Sequence, residues 1–412
     1  MSDAAGAAPR PPRTLLVADA LFRTGATRVV LSLLEQWGPR GGQLAVLQDP
    51  ADASLLTPGP EVPVVRLAAP GQRLRASGLK SLVRLVALAR RHEVVLATSE
   101  IGPGLVAAWL AARLARRTFV VSVHADLDDA LAEWVPRPLR PLLRLVHRRA
   151  DAAVCIDAGV VAPVLANGLP PERVHVVRNG VDLAAVRAAA SAPALLPSSR
   201  EDESDDGGAA APRVPVVVAT GRLAPQKGYD LLLRAHADVV RRVPHRLRVL
   251  NDGPEQEALQ SLAAELGVTA TVSFEGAVDA PLPQVAHADL FCLPSRHEGL
   301  PLALVEAVAL GVPCLAADSS AGVREVLDGG RTGELVPVED VDALARALER
   351  HLRDPAPLRD KALAGLRHVE QFDVTGMAAG WARALRAAAD AARGVRSTPS
   401  APLRPPVVPP GG

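Results

Sequence analysis

The chain is 412 residues long, more than one hydrophobic core usually fills, and at roughly 150 residues per domain two domains are expected. With 49% hydrophobic and 22% charged residues it reads as an ordinary globular protein, whose cores are aliphatic because aromatics make up only 2%. The net charge of +1 hides an asymmetry: 23 Lys and Arg face 16 Asp and Glu through residue 190, and 23 face 29 beyond it. The basic first half suits an anionic surface or polymer, the second half a different partner, and two unrelated solvated surfaces are the alternative.

Three cysteines, Cys155, Cys292 and Cys314, lie far apart in apolar runs with no metal-ligand spacing, and are expected to be buried and reduced. The opening MSDAAGAAPRPPR lacks a long apolar segment, and no run of about 18 apolar residues occurs. Neither a signal peptide nor a membrane span is therefore expected, and a cytoplasmic location is. Scarce aromatics also deprive the basic half of stacking platforms, which argues against nucleic acid as a partner.

Short apolar runs at 14–20, 43–48, 62–67, 93–99, 118–125, 152–157 and 174–180 alternate with segments of helical spacing, among them 27–37, 79–91 and 104–116. Strands apolar on both faces and separated by helices predict a doubly wound parallel sheet. Residues 190–213, rich in Ser, Ala, Pro, Gly and acid, read as a linker or disordered insertion. The alternation then restarts, with apolar runs at 214–221, 246–252, 272–278, 289–295 and 313–318 and helical stretches at 229–243, 255–266 and 301–310. The predicted class is α/β, with two Rossmann-like doubly wound domains. Residues 341–393 are mostly helical by composition, and 1–13 and 396–412 are expected to be disordered.

Ligands of such sheets sit outside the carboxyl ends of strands, where helix N-termini present free N–H groups. After the run at 214–221 comes GRLAPQKGYD, which sets Arg222 and Lys227 before a helix beginning near Tyr229. A planar guanidinium and a mobile ammonium beside a helix start suit a diphosphate; a solvated basic loop is the alternative. After the run at 289–295 comes SRHEGLPLALVEAVALG, with Glu298 in the loop, Gly299 for close backbone approach, and Pro301 at the first helical position. Glu306 follows roughly 7.5 Å along that helix. The two carboxylates can therefore touch different parts of one extended ligand.

Arg222, Lys227, and Glu298 with Glu306 resemble the donor-site signature of glycosyltransferase family 4, enzymes of the GT-B fold. The likeness extends to NGVD (179–182), NDGPE (251–255), FEGAV (274–278) and REVLDGGRTGELVP (324–337), and spans about 14 to 393. It implies two domains facing across a cleft: 14–189 on the acceptor side and 214–370 binding a nucleotide sugar, with 371–395 as a helix crossing back. It further implies a retaining transfer in which the donor is a substrate, a UDP-sugar being favoured, and neither a cofactor nor a metal is required. Arg222 and Lys227 would neutralise the diphosphate, aided by the amides of Gly299 and Leu300. Glu306 would hold the ribose, and Glu298 the transferred sugar. The base would lie near the backbone from Phe274 through Gly276 to Ala277. From the first domain, Gly25 resembles the glycine that approaches donor and acceptor, and His124 the histidine facing the sugar; a surface or capping histidine is the alternative.

The sequence departs from the family pattern at Asn251-Asp252-Gly253, where Gly-x-Gly is common, at Thr24-Gly25, where two glycines are, and at Asp157, where a serine is. The rival readings are another GT-B activity such as a sugar-nucleotide epimerase, or a non-catalytic scaffold of the same fold. For the acceptor, a glycan or glycolipid is implied. The runs 73–91 and 136–149, which interleave Arg and Lys with Leu and Val, suggest peripheral contact with an anionic membrane; a solvated basic face is the alternative.

Overall fold

The computed structural model describes residues 10–22, 24–48, 50, 55–69, 78–190, 213–278 and 280–395. Most of the expected linker, residues 1–9 of the expected disordered N-terminus, all of the expected disordered tail and the start of the 73–91 run lie outside these residues.

In chain order the first sheet contains β1 (Thr14–Ala18), β2 (Gly42–Val46), β3 (Val64–Arg66), β4 (Val94–Ala97), β5 (Thr118–Val123), β6 (Ala152–Cys155) and β7 (Val174–Val176). Its order is β3-β2-β1-β4-β5-β6-β7, and every pair is parallel. The second sheet contains β8 (Val216–Thr220), β9 (Arg246–Leu250), β10 (Val272–Phe274), β11 (Leu290–Leu293), β12 (Cys314–Ala317) and β13 (Glu334–Val336), in the order β10-β9-β8-β11-β12-β13, again parallel. Two Rossmann-like sheets are thus present, as the alternation of apolar runs and helices predicts.

Period-two alternation explains why these strands are apolar throughout. On β1, Leu15 and Val17 enter one core with Phe119 and Val121, while Leu16 and Ala18 enter the opposite one with Leu44 and Val120. That opposite core is completed by the C-terminal helix Val374–Ala392, whose Trp381 and Leu385 are buried against the first sheet although the chain has already traversed the second. The chain crosses where Val181 donates to the Phe372 carbonyl and Val374 donates to that of Val181, both at 2.9 Å. Gly180 is pressed onto the carbonyls of Phe372 and Asp373 at this crossing, so the NGVD segment is where the two sheets are joined.

The three cysteines are free and buried, and burial pushes Cys155 and Cys292 up to about 12, which keeps them as inert thiols. One strand escapes the sequence reading: β13 is a three-residue edge strand that begins with Glu334 and has only Val336 buried, so it shows no apolar run. The helix expected over 301–310 spans Leu302–Ala309, and Pro301 stands at its N-cap with extended ψ rather than at the first helical position. Among the described residues no helix is long and apolar enough to cross a membrane.

Candidate functional site

Each sheet reverses strand order between its first and fourth strands, at β1/β4 and at β8/β11. Doubly wound sheets bind ligands at that switch point, beyond the carboxyl ends. Arg222 and Lys227 follow β8, Glu298 follows β11, and Gly25 follows β1. All four line one cavity of about 550 Å³ together with His124, Gly299, Leu300 and Glu306. The cavity lies between the domains: a side chain on Gly25 would meet Leu302 Cδ1 at 3.9 Å, and one on Gly299 would meet Ile156 and the His124 carbonyl at 3.2 and 3.6 Å. The helices Gly25–Gly41 and Leu302–Ala309 therefore begin on opposite walls of the same cleft.

Two close approaches fix the second wall. Gly228 adopts φ of +64° and lies against the Pro294 carbonyl, so only glycine fits between the β8 and β11 loops. Ser320 Oγ donates to the Gly299 carbonyl at 3.0 Å, and Gly322 packs so closely on that carbonyl that a methyl group would collide with it. Lys227 Nζ then donates to Glu298 Oε1 at 2.7 Å, and Ser295 Oγ, itself fully buried, donates to the same oxygen at 2.6 Å. Arg222 is exposed at the cavity and has no ion pair among the described residues. Glu306 is 13% exposed and meets the guanidinium of Arg28, from the first domain, at 3.4 Å. Burial raises its pKa, and Arg28 opposes that rise.

His124 lines the cavity, but Ser122 Oγ sits 2.7 Å from its Nε2 and a further hydrogen bond ties the ring to the Thr98 backbone. Burial pushes it down to about 4, so it is neutral at ordinary pH. Its backbone amide donates at 3.3 Å to Glu100, a carboxyl that burial raises to about 7.

Phe274 and Gly276, expected beside the base through their backbone, do not line this cavity. Phe274, on the edge strand β10, turns its ring into the core beside Leu247 and Val249, because strand alternation carries Val272 and Phe274 to that face. Gly276 accepts through its carbonyl from the Asn251 amide at 2.8 Å, and its neighbours Asn251 and Val278 line the cavity with Leu250. Asn251 holds φ of +106° at the place where the family pattern has glycine. Arg28, Ser295 and the half-exposed Trp134, which also lines the cavity, are not singled out by the sequence, although Ser295 opens the SRHEGLPLALVEAVALG segment and Arg28 lies three residues beyond Gly25.

Comparison with known proteins fits this geometry. Residues 24–180 match the glycosyl transferase 4-like domain, and residues 201–364 match glycosyl transferases group 1. The lipopolysaccharide core biosynthesis glycosyltransferase LpsE of Rhizobium meliloti is 31% identical over 247 residues, covering 56% of this chain and 67% of that protein. The chain belongs to glycosyltransferase family 4. A further relative of this family 4 member is the GDP-mannose-dependent alpha-(1-6)-phosphatidylinositol monomannoside mannosyltransferase of Mycolicibacterium smegmatis, 40% identical over 164 residues. That match covers 37% of this chain and only 42% of the mannosyltransferase's own length. The fold is GT-B: Anabaena HepE in complex with UDP-glucose superposes with a TM-score of 0.73 at 20% identity, over 91% of this chain and 99% of HepE. WaaG, a glycosyltransferase of lipopolysaccharide biosynthesis, gives 0.64 at 15% identity over 93% and 100%.

Proposed function

We propose that this family 4 glycosyltransferase transfers a sugar from a nucleoside-diphosphate sugar to a glycan or glycolipid acceptor, with retention at the anomeric carbon. The observation that carries the reading is the convergence of Arg222, Lys227, Glu298 and Glu306 on one inter-domain cavity at the switch points of both sheets. In this reading Arg222 and Lys227 take up the charge of the departing diphosphate, together with the amides at the start of Leu302–Ala309. No metal is needed for that neutralisation. Glu306 accepts hydrogen bonds from the ribose hydroxyls. Glu298, freed from Lys227 as the ammonium turns to phosphate, orients the transferred sugar and stabilises positive charge developing on its ring.

The acceptor hydroxyl attacks from the face the diphosphate leaves, and a phosphate oxygen receives its proton, so no protein nucleophile is required. Neutral His124 then shapes the sugar's surroundings rather than carrying a proton. UDP is the favoured base carrier, as HepE is held with UDP-glucose, and GDP is its rival, as the mycobacterial relative is named for GDP-mannose. The LpsE relative supports a surface-glycan acceptor. Membrane approach is supported by the helix Arg140–Arg148 and the Leu139 before it, where Leu139, Leu142 and Leu145 are exposed among arginines, and by exposed Leu79 and Val83 on Gly78–Ala89. Release of UDP or GDP from a panel of sugar nucleotides tests the activity, and the anomeric configuration of the product tests retention.

A further inference from the structure

Each acidic residue assigned to the donor is met by a cation in the cleft. Glu298 is met by Lys227 of its own domain, and Glu306 by Arg28 of the opposite one. The Lys227 pair bridges two neighbouring loops of one sheet, whereas the Arg28 pair joins residues 278 positions apart across the cavity. Glu306 is mostly buried, and Arg28 is 49% exposed at the cavity. A buried carboxylate needs such a partner. A guanidinium that spends one N–H on it keeps four in a fixed planar fork, and Arg28 lines the same cavity as Arg222 and Lys227. The fork's position is set by the first turn of Gly25–Gly41, whose N-cap Thr24 accepts from the Thr27 amide at 3.2 Å.

We propose that Arg28 is a donor-recognition residue supplied by the first domain, holding Glu306 in place for the ribose and presenting its remaining N–H groups to the diphosphate. This rests on the donor-site reading above. Nucleotide is thereby gripped from both walls, with Arg28 doing for Glu306 what Lys227 does for Glu298. The pair also explains how the Glu306 carboxylate can be buried.

The test is calorimetric titration of the full chain with UDP and with GDP, following whichever the wild-type protein binds. Arg28→Met keeps the apolar stem of a half-exposed helical residue, and Arg28→Lys keeps the charge but loses the fork. Arg28→Met is expected to weaken binding about tenfold or more, Arg28→Lys less. Arg28→Met combined with Glu306→Gln is expected to weaken it by less than the product of the two single effects, because they share one interaction. Wild-type binding by Arg28→Met, or effects that multiply independently, overturns the inference while leaving the donor site standing. Failure of the wild-type chain to bind either nucleotide, or undiminished binding by Lys227→Ala, overturns the donor-site reading and this inference with it.

Discussion

Lys227 Nζ lies 2.7 Å from Glu298 Oε1, and Ser295 Oγ lies 2.6 Å from the same oxygen, with the two charged side chains only 20% and 8% exposed. Removing Glu298 leaves a largely buried ammonium without its anion, yet Lys227 can still turn toward a bound diphosphate. Glu298→Ala is therefore expected to lower kcat by about 10²-fold or more, as loss of a preorganised electrostatic group does, with nucleotide binding largely kept. Lys227→Ala should instead weaken nucleotide binding. Ser295→Ala, which only orients Glu298, should lower kcat by about tenfold, in line with one charge-assisted hydrogen bond of roughly 1.5 kcal/mol. Steady-state kinetics with circular dichroism as a folding control separates these outcomes; equal losses in KM alone for all three would contradict them.

Asn251 occupies φ of +106°, a region that costs a non-glycine residue about 1–3 kcal/mol. Its side chain partly compensates by accepting from the Asp252 amide at 3.0 Å. Asn251→Gly should leave unfolding free energy within about 1 kcal/mol of wild type, because relieved strain offsets the entropy that glycine adds to the unfolded chain. Asn251→Val, β-branched and without the hydrogen bond, should lose about 2 kcal/mol or more. Denaturant titration decides, and a tolerated valine would show that the backbone there is not constrained.

A buried chain of hydrogen bonds links His245 Nδ1 to the Val243 carbonyl, His245 Nε2 to His236 Nδ1, and His236 Nε2 to Thr271 Oγ1, at 2.8, 2.8 and 2.9 Å. Burial is the main cause that lowers both rings, His236 to about 3, with the neighbouring His245 contributing. A depressed folded-state pKa gives stability that is present above the unfolded value of 6.5 and is lost as pH falls toward the folded one. The melting temperature of wild type should therefore drop between pH 7 and pH 4. His236→Gln should melt several degrees lower at pH 7 and show a shallower drop, so that the gap between the two proteins narrows in acid. Glu100 and Asp19, raised by burial to about 7 and about 6, act in the opposite direction, but equally in both proteins. A gap that stays constant with pH would remove the pair as a source of acid lability.

Exposed Leu139, Leu142 and Leu145 recur at intervals of three along a segment that also carries Arg137, Arg148 and Arg149. Sedimentation with anionic vesicles should carry down the full chain at low salt and release it as salt rises, since surface attraction is screened. Leu142→Glu with Leu145→Glu should abolish sedimentation without changing nucleotide binding. Absence of binding at low salt would leave this face merely solvated.

Much of the fold was legible because its strands are buried on both faces and its helices are long: the runs at 14–20 and 214–221 contain β1 and β8 with little room for another reading. The three-residue β13 and the six-residue helix Ala321–Val326 were not legible, since neither is long enough to show a period. In the site, Glu298, Lys227 and Glu306 could be read from loops that follow strands. Arg28 could not, because its partner is 278 residues away and only the facing of the two domains brings them together. For Phe274 the motif marks a stretch of backbone, and strand parity rather than the motif decides which face its ring takes.

The most direct measurement of the central claim is a titration of the purified full chain with UDP, GDP and the matching nucleosides, followed by the structure of the complex. The account predicts that one diphosphate binds far more tightly than its nucleoside, with the phosphates between Arg222, Lys227 and the start of Leu302–Ala309 and the ribose on Glu306. Equal binding of nucleoside and diphosphate, or a nucleotide seated outside this cleft, would contradict it.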